Sequence, residues 1–437
     1  MLKKLLTITG IIFAGIAVVI GIRAVTKQAA PQGSPQRQEE RALDQRATPA
    51  DRQINMAQAV ITRAPHSPKG YNQLAAAYTQ KARETGDFGY YARVEAALKR
   101  SFEIAPDNHD ATKMQAYLLL AYHRFSEALP MARRAVEQKP KDYEAYGAVV
   151  DALVELGRYD EAKEAVQAML DVRPYTASYA RASYLRSLHG DTEGAIEAMR
   201  LAVQSANPGD PESVAWCRVH LGDELMNAGK RAEAEHEYDH ALFLFPDYHL
   251  ALAAKARARL AANDTSGAIE FYKRAQERVP SPETAIALGD LYTRAGRAGD
   301  AKKQFELVEF VERTGAAGGT YSRQLALFWA DHDMKLDEAL AVARREREAR
   351  SDIYTSDVLA WCLYKKGQYA EAKTAIDEAL RLGTRDAGIN YHAGMIYRAL
   401  GERRAAAKHL QLALKINPSF DVLQADVARQ ALRGLAA

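Results

Sequence analysis

The sequence predicts an all-α protein, a solenoid of about ten helical pairs preceded by one N-terminal transmembrane helix. Three observations carry this. Hydrophobic residues make up 48% of the 437 but aromatics only 8%, which excludes a disordered chain and suits helix packed on helix. Prolines recur at a fixed interval: Pro106, Pro140, Pro174 and Pro208 lie 34 residues apart, and Pro246 to Pro280 is 34 again. Alanines keep the same register at Ala128, Ala162, Ala195, Ala234, Ala268, Ala301, Ala339, Ala372 and Ala406, in steps of 33 to 39. Lys+Arg number 59 against 56 Asp+Glu, and a formal charge of only +3 argues against nucleic acid as a partner. The two cysteines, Cys217 and Cys362, are 362 − 217 = 145 residues apart, so neither a disulfide scaffold nor a thiolate zinc cluster is available.

The N-terminal 25 residues differ from the rest. Lys3 and Lys4 precede an uncharged run from Leu5 to Ile22, whose 18 residues would span about 27 Å at helical rise. Residues 1–25 therefore read as a signal-anchor, uncleaved because the small-residue sites near Ala24 and Ala30 are poor. The lysines ahead of the run place the amino terminus inside and the remainder on the extracytoplasmic, periplasmic side. Cleavage would instead leave a secreted soluble protein. Residues 26–47, with Pro31, Gly33, Ser34 and Pro35, read as a flexible linker. Thr48, Pro49 and Asp51 combine a capping hydroxyl, a first-turn proline and an early acid, so the folded region is taken as 48–437.

Within each period, turn formers stand five residues before the alanine, at Gly157, Gly190, Gly229, Asn263, Gly296, Gly367 and Gly401, so each period is two helices around a tight turn. The succession Leu-Gly, Tyr, Ala, aromatic, Ala and Pro stands at Leu288-Gly289, Tyr292, Ala301 and Phe305, and again at Gly394, Tyr397, Ala406, Ala413 and Pro418. In these positions the chain resembles the tetratricopeptide-repeat family, and its N-terminus resembles the membrane-anchored arrays of bacteria. The resemblance implies a right-handed α-solenoid of ten repeats between Tyr71 and Pro418, closed by capping helices over 51–64 and 419–435. It also implies protein or peptide binding in a concave groove. Three repeats depart from the pattern. The first has an insertion around Gly86 to Gly89, the junction after the fourth is long (Asn207 to Pro211), and the eighth lacks both turn glycine and proline.

Three motifs invite chemical readings. His236-Glu237-Tyr238-Asp239-His240 spells the H-E-x-x-H zinc pattern, but the repeat frame turns Tyr238 and Ala241 inward and leaves both histidines outside with no third ligand. Arg344 to Arg350 holds four arginines, with Glu346 and Glu348 between them marking a charged outer helix face. The glycine-rich stretch from Gly315 to Thr320 has neither a preceding strand nor a following Lys-Ser/Thr and reads as an inter-repeat linker.

Candidate contact residues come from the first helix of each repeat. The position after the Leu-Gly pair holds Ala76, Tyr117, Asp151, Tyr184, Asp223, Arg257, Asp290, Phe328, Trp361 and Met395, with Trp216, His220, Tyr321, Tyr364, Tyr391 and His392 nearby. Of these, Tyr117, Asp151, Tyr184, Asp223, Asp290, Phe328, Trp361, Tyr364 and Tyr391 are the candidate groove, because the repeat does not need their size or charge for its own packing. The alternative is that the aromatics fill a narrow interior. The reading is a membrane-tethered scaffold of the envelope-assembly-factor kind that binds protein or peptide in its groove, is not an enzyme and uses no cofactor or metal. The alternative from another class is a zinc hydrolase through His236, Glu237 and His240.

Overall fold

The computed structural model describes residues 48–315 and 322–436, which form 22 helices and, among the described residues, no strand. They divide into two parts, one ending at Met56 and one running from Ala57, with helix α1 (Pro49–Arg63) crossing the boundary. In the first part Thr48 and Asp51 cap α1 reciprocally. Thr48 Oγ1 accepts from the Asp51 amide at 3.3 Å, and the Asp51 carboxylate accepts from the Thr48 amide at 3.0 Å.

The second part is a run of helical hairpins. Repeat 1 pairs α2 (Pro68–Thr85) with α3 (Tyr90–Ile104), and repeat 2 pairs α4 (His109–Ala121) with α5 (Phe125–Gln138). Repeats 3 and 4 are α6 (Tyr143–Glu155) with α7 (Tyr159–Val172), and α8 (Thr176–Leu188) with α9 (Thr192–Ser205). Repeats 5 and 6 are α10 (Pro211–Asn227) with α11 (Arg231–Leu244), and α12 (His249–Ala261) with α13 (Thr265–Arg278). Repeats 7 and 8 are α14 (Pro282–Arg294) with α15 (Ala298–Gly315), and α16 (Arg323–Asp331) with α17 (Leu336–Ala349). Repeats 9 and 10 are α18 (Ile353–Lys365) with α19 (Tyr369–Ala379), and α20 (Ala387–Ala399) with α21 (Arg403–Ile416), after which α22 (Gln424–Ala436) ends the array.

The expected transmembrane helix, residues 5–22, lies outside the described residues. Among the described residues no helix is long and apolar enough to cross a membrane. The two longest, α2 and α15, have 18 residues each and carry charges along their length. The reading of a single-pass membrane protein with a periplasmic repeat region, held to the bilayer through residues 5–22, is therefore corrected: the structure does not support it. The stretch from residue 316 to 321, with Tyr321, is likewise outside the described residues.

Why these residues form hairpins can be read from three kinds of position. First helices begin at a short polar cap: Asn108, Asp142, Asp210, Ser281, Ser322, Asp352 and Asp386 each accept a hydrogen bond from an amide of the first turn. Between the two helices stand the register alanines. Ala128, Ala162, Ala195, Ala234, Ala268, Ala339, Ala372 and Ala406 are fully buried, and their small side chains let paired helices approach closely. The glycine of the Leu-Gly pair has a steric reason. A Cβ on Gly222 would lie 2.3 Å from the Tyr238 ring, and one on Gly289 would lie 2.2 Å from Phe305. Each is the aromatic 16 residues later (238 − 222 and 305 − 289) on the second helix. At the turns themselves the chain passes through the left-handed region, at Gly229 (φ 76°) and equivalent glycines. Repeats 2, 6 and 8 do this without glycine, using His123, Asn263 and Asp333, and repeat 8 adds Lys335 at φ 43°.

One level up, the array comes back against itself. The Ser351 amide donates to the Glu155 carbonyl at 2.9 Å, and the Ile353 amide donates to the Tyr159 hydroxyl at 2.9 Å. Arg381 donates to the Gly157 carbonyl at 3.1 Å, while Arg350, buried, pairs with Glu155 at 3.2 Å and with Glu346. The offset is nearly constant: 351 − 157 = 194, 383 − 190 = 193 and 279 − 86 = 193, each a turn glycine whose added Cβ would lie within 2.4 to 2.8 Å of Ser351 O, Gly383 O or Val279 Cγ1. At 34 residues per repeat, one superhelical turn thus takes about 5.7 repeats, tighter than a wide-open groove allows. The Arg344–Arg350 segment, read from sequence as a charged outer face, ends in this contact with Glu346 and Arg350 buried.

Candidate partner-binding surface

The candidate residues divide into an open and a closed set. In the open set, Tyr117 of α4 donates from its hydroxyl to the Glu144 carbonyl at 2.8 Å, and burial pushes its phenol up to about 12. Asp151 of α6 is held by Arg181 of α8 through two hydrogen bonds of 2.6 and 2.8 Å. Tyr184 is 43% exposed, although protein crowds it closely enough for burial to push its phenol pKa up. Both hold for a side chain on the wall of a narrow channel. Arg323 of α16 and Tyr354 of α18 lie within electrostatic reach of Tyr184.

In repeat 5, Trp216 is 36% exposed and packs on His220 with ring centroids 4.0 Å apart. One turn on, Asp223 accepts from the Tyr238 hydroxyl at 2.8 Å and from Arg257 of α12 at 2.7 Å. Beside it Glu224, bonded by Ser187 at 3.1 Å, is pushed up to about 7 by burial. The repeated device is an acid on one first helix held by a base on the next, 30 and 34 residues away. These pairs fix the angle between successive repeats and leave the aromatic faces between them uncovered.

The closed set corrects part of the sequence reading. Phe328, Trp361 and Tyr391 are buried, and so is Asp290, so these four do not present a face to a partner in this conformation. Phe328 packs against Phe305 and His332, at centroid distances of 5.4 and 4.7 Å. His332 Nε2 meets Asp290 at 2.6 Å while its Nδ1 donates to the Phe328 carbonyl at 2.7 Å. Burial opposes charge on His332, yet the Asp290 hydrogen bond and carboxylate leave its pKa raised, and burial also raises that of Asp290. Trp361 is stacked between Tyr364, which stays half-buried, and His392, at 4.8 and 4.2 Å. Its indole donates to Asp331 at 2.7 Å, and burial pushes the Asp331 carboxyl up to about 6. The physical reason for the correction is local packing: Phe328 and Asp290 are covered by Phe305 and His332, and Trp361 and Tyr391 by each other and by Tyr364 and His392, all within one repeat or between neighbouring repeats.

The H-E-x-x-H segment lies on the solvent side of α11. His236 is exposed, its ring 5.5 Å from that of His240, and Glu237 is engaged by Arg218 at 2.6 Å. Among the described residues no three His, Cys, Asp or Glu side chains gather as metal ligands.

Tetratricopeptide-repeat family models match residues 119–183, 220–281 and 358–419, coinciding with repeats 2 to 4, 5 to 6 and 9 to 10. This is a tetratricopeptide-repeat protein. A curated relative, the STIP1 homolog of Dictyostelium discoideum, is 31% identical over 84 residues, which span 19% of this chain and 15% of the relative's length. Among solved structures, the TPR array is similar to the human IFIT1 dimer with m7Gppp-AAAA (14% identity, 76% of each chain, TM-score 0.48). It is also similar to PilW, a type IV pilus biogenesis factor (18% identity, 50% of this chain and 96% of that one, TM-score 0.38). Likeness at this level says nothing of partners.

The TPR pattern did not show two groups of residues. Glu155, Tyr159, Arg350 and Ser351 join one superhelical turn to the next, and Phe420, Val422 and Gln424 reach from the C-terminal segment into the interior. No single-repeat signal marks either group, because both depend on how about 5.7 repeats add up in space.

Proposed function

We propose that the TPR array is a protein-interaction scaffold, wound right-handed, that holds an extended segment of a protein partner on the inner face of repeats 3 to 5. Tyr184 and Trp216 carry this reading: they are large aromatic side chains on neighbouring first helices that remain open while Phe328, Trp361 and Tyr391 of repeats 8 to 10 are buried. Around them, Asp151 with Arg181 and Asp223 with Arg257 supply charges of both signs at fixed positions, which would orient a segment's polar groups. Tyr117, which lies against Arg181 and Asp151, borders this face on the side of repeat 2. A TPR scaffold needs no reacting group, and Asp151 and Asp223 on this face stand in ion pairs.

The test is selection of peptides from a random library on the purified protein, followed by titration of the selected peptide. Changing Tyr184 and Trp216 together to alanine should weaken binding by about 2 kcal/mol or more, as for aromatic hot spots, with helicity unchanged. Undiminished binding to the double variant would place the partner elsewhere.

A further inference from the structure

The inner face of repeats 6 to 10 is not empty. After α21 the chain turns back, and residues 420–424 lie against side chains from four earlier repeats. Phe420 packs on Tyr391 with ring centroids 5.3 Å apart. Val422 joins the apolar cluster of Ala256, Tyr272 and Leu288. Gln424 donates from its carboxamide to Asp331 at 2.5 Å, the same carboxylate oxygen that accepts from Trp361. The side chains at 420, 422 and 424 thus occupy three places on the face where the repeat pattern led us to look for a partner, through Asp290, Trp361 and Tyr391.

Two features mark residues 419–424 as an occupant of the face more than a part of its core. Their fit is incomplete: they are only half-buried, and the Gln424 Oε1 is buried without a donor, which costs free energy. Their anchorage comes from α22, which packs on α21 and slightly on α20 and buries Ala425, Ala428 and Ala431, while Val427 on its other side is exposed.

We propose that the segment 420–424, tethered by α22, is an internal ligand of the inner face of repeats 6 to 10, displaced by a protein partner that supplies the same side-chain order. That partner segment would carry an aromatic residue for Tyr391, an apolar residue two positions later for the cluster at Tyr272, and a carboxamide two positions after that for Asp331. The inference rests on the scaffold reading above and adds a second, guarded stretch of groove to it.

The experiment uses a labelled peptide of residues 417–436 and the full chain, followed by fluorescence anisotropy. Gln424→Glu sets a second carboxylate against Asp331 and loosens the segment while leaving its apolar contacts. The peptide should bind this variant at least about ten-fold more tightly than the wild type, whose own segment competes. A peptide with Phe420→Ala should lose that binding. Equal binding to wild type and variant, or binding to neither with helicity intact, would overturn the proposal. If Gln424→Glu fails to fold, Phe420→Leu in the full chain, which keeps apolar volume but removes the ring, is read by the same two outcomes. Because no partner enters the assay, its failure leaves the scaffold reading standing, and loss of that reading at Tyr184 and Trp216 leaves the peptide result intact.

Discussion

Replacing Gly157 with alanine tests the contact between superhelical turns. Gly157 sits at φ 68°, and its Cβ would lie 2.4 Å from the Ser351 carbonyl oxygen, a backbone atom that cannot swing aside. The left-handed conformation alone costs a non-glycine residue about 1–2 kcal/mol. Relieving the clash means parting the two segments, and with them the Ser351–Glu155, Ile353–Tyr159 and Arg381–Gly157 hydrogen bonds. At about 0.5–1.5 kcal/mol for each of the three bonds lost, the total comes to roughly 2.5–6.5 kcal/mol. Gly367 is the control, because it has nearly the same φ of 73° but nothing within 4 Å of an added Cβ, so Gly367→Ala should cost only about 1–2 kcal/mol. Thermal melts give the difference. Hydrogen exchange at the Ser351 and Ile353 amides locates it, since a solenoid opens in sections and no single melting temperature describes it. Equal losses for the two variants, with both amides protected as in the wild type, would refute the stacking of turns.

Three more expectations follow from burial. Ala234→Leu should destabilise by about 1–3 kcal/mol through overpacking at a fully buried contact, while the exposed His236→Ala should do much less, as read by chemical denaturation. Phe328→Ala with Trp361→Ala should lower stability by about 3 kcal/mol or more, since both rings are buried; an unchanged melt would return them to an open groove. The carboxyl of Asp331 titrates at about 6 in the folded protein against 3.8 when free, so the fold holds its proton more tightly than the unfolded chain does. This acid therefore costs stability above about pH 6, and the cost is relieved as pH falls towards 4. Asp331→Asn should remove that pH dependence, worth on the order of 1–3 kcal/mol, and a wild-type slope retained between pH 6 and 4 would rule it out.

Much of the fold was legible because a TPR writes its packing locally. The register alanines, the Gly222 and Tyr238 pair and the caps at Asp142 or Asp352 all act within about 34 residues, a span over which spacing in sequence reports spacing in space. Candidate site residues were legible only as positions. Tyr184 and Phe328 hold equivalent places in their repeats, yet one is open and the other buried, because the second is covered by His332 at the end of its own helix and by Phe305 of the preceding repeat. Arg350 misled for a longer-range reason. Its neighbours Glu346 and Glu348 gave an outer-face pattern, while its partner Glu155 lies 195 residues away. Gln424 reads as part of the capping helix expected over 419–435, and its bond to Asp331 has no counterpart in the repeat pattern.

The central claim is that partners are held on the inner face, and site-specific photocrosslinking in living cells tests it most directly. A photoreactive side chain at Tyr184 should trap a discrete protein partner, and one at Phe243, 79% exposed on the outer helix α11, should trap none or only background. Adducts of one defined protein at Phe243 and none at Tyr184 would contradict the account.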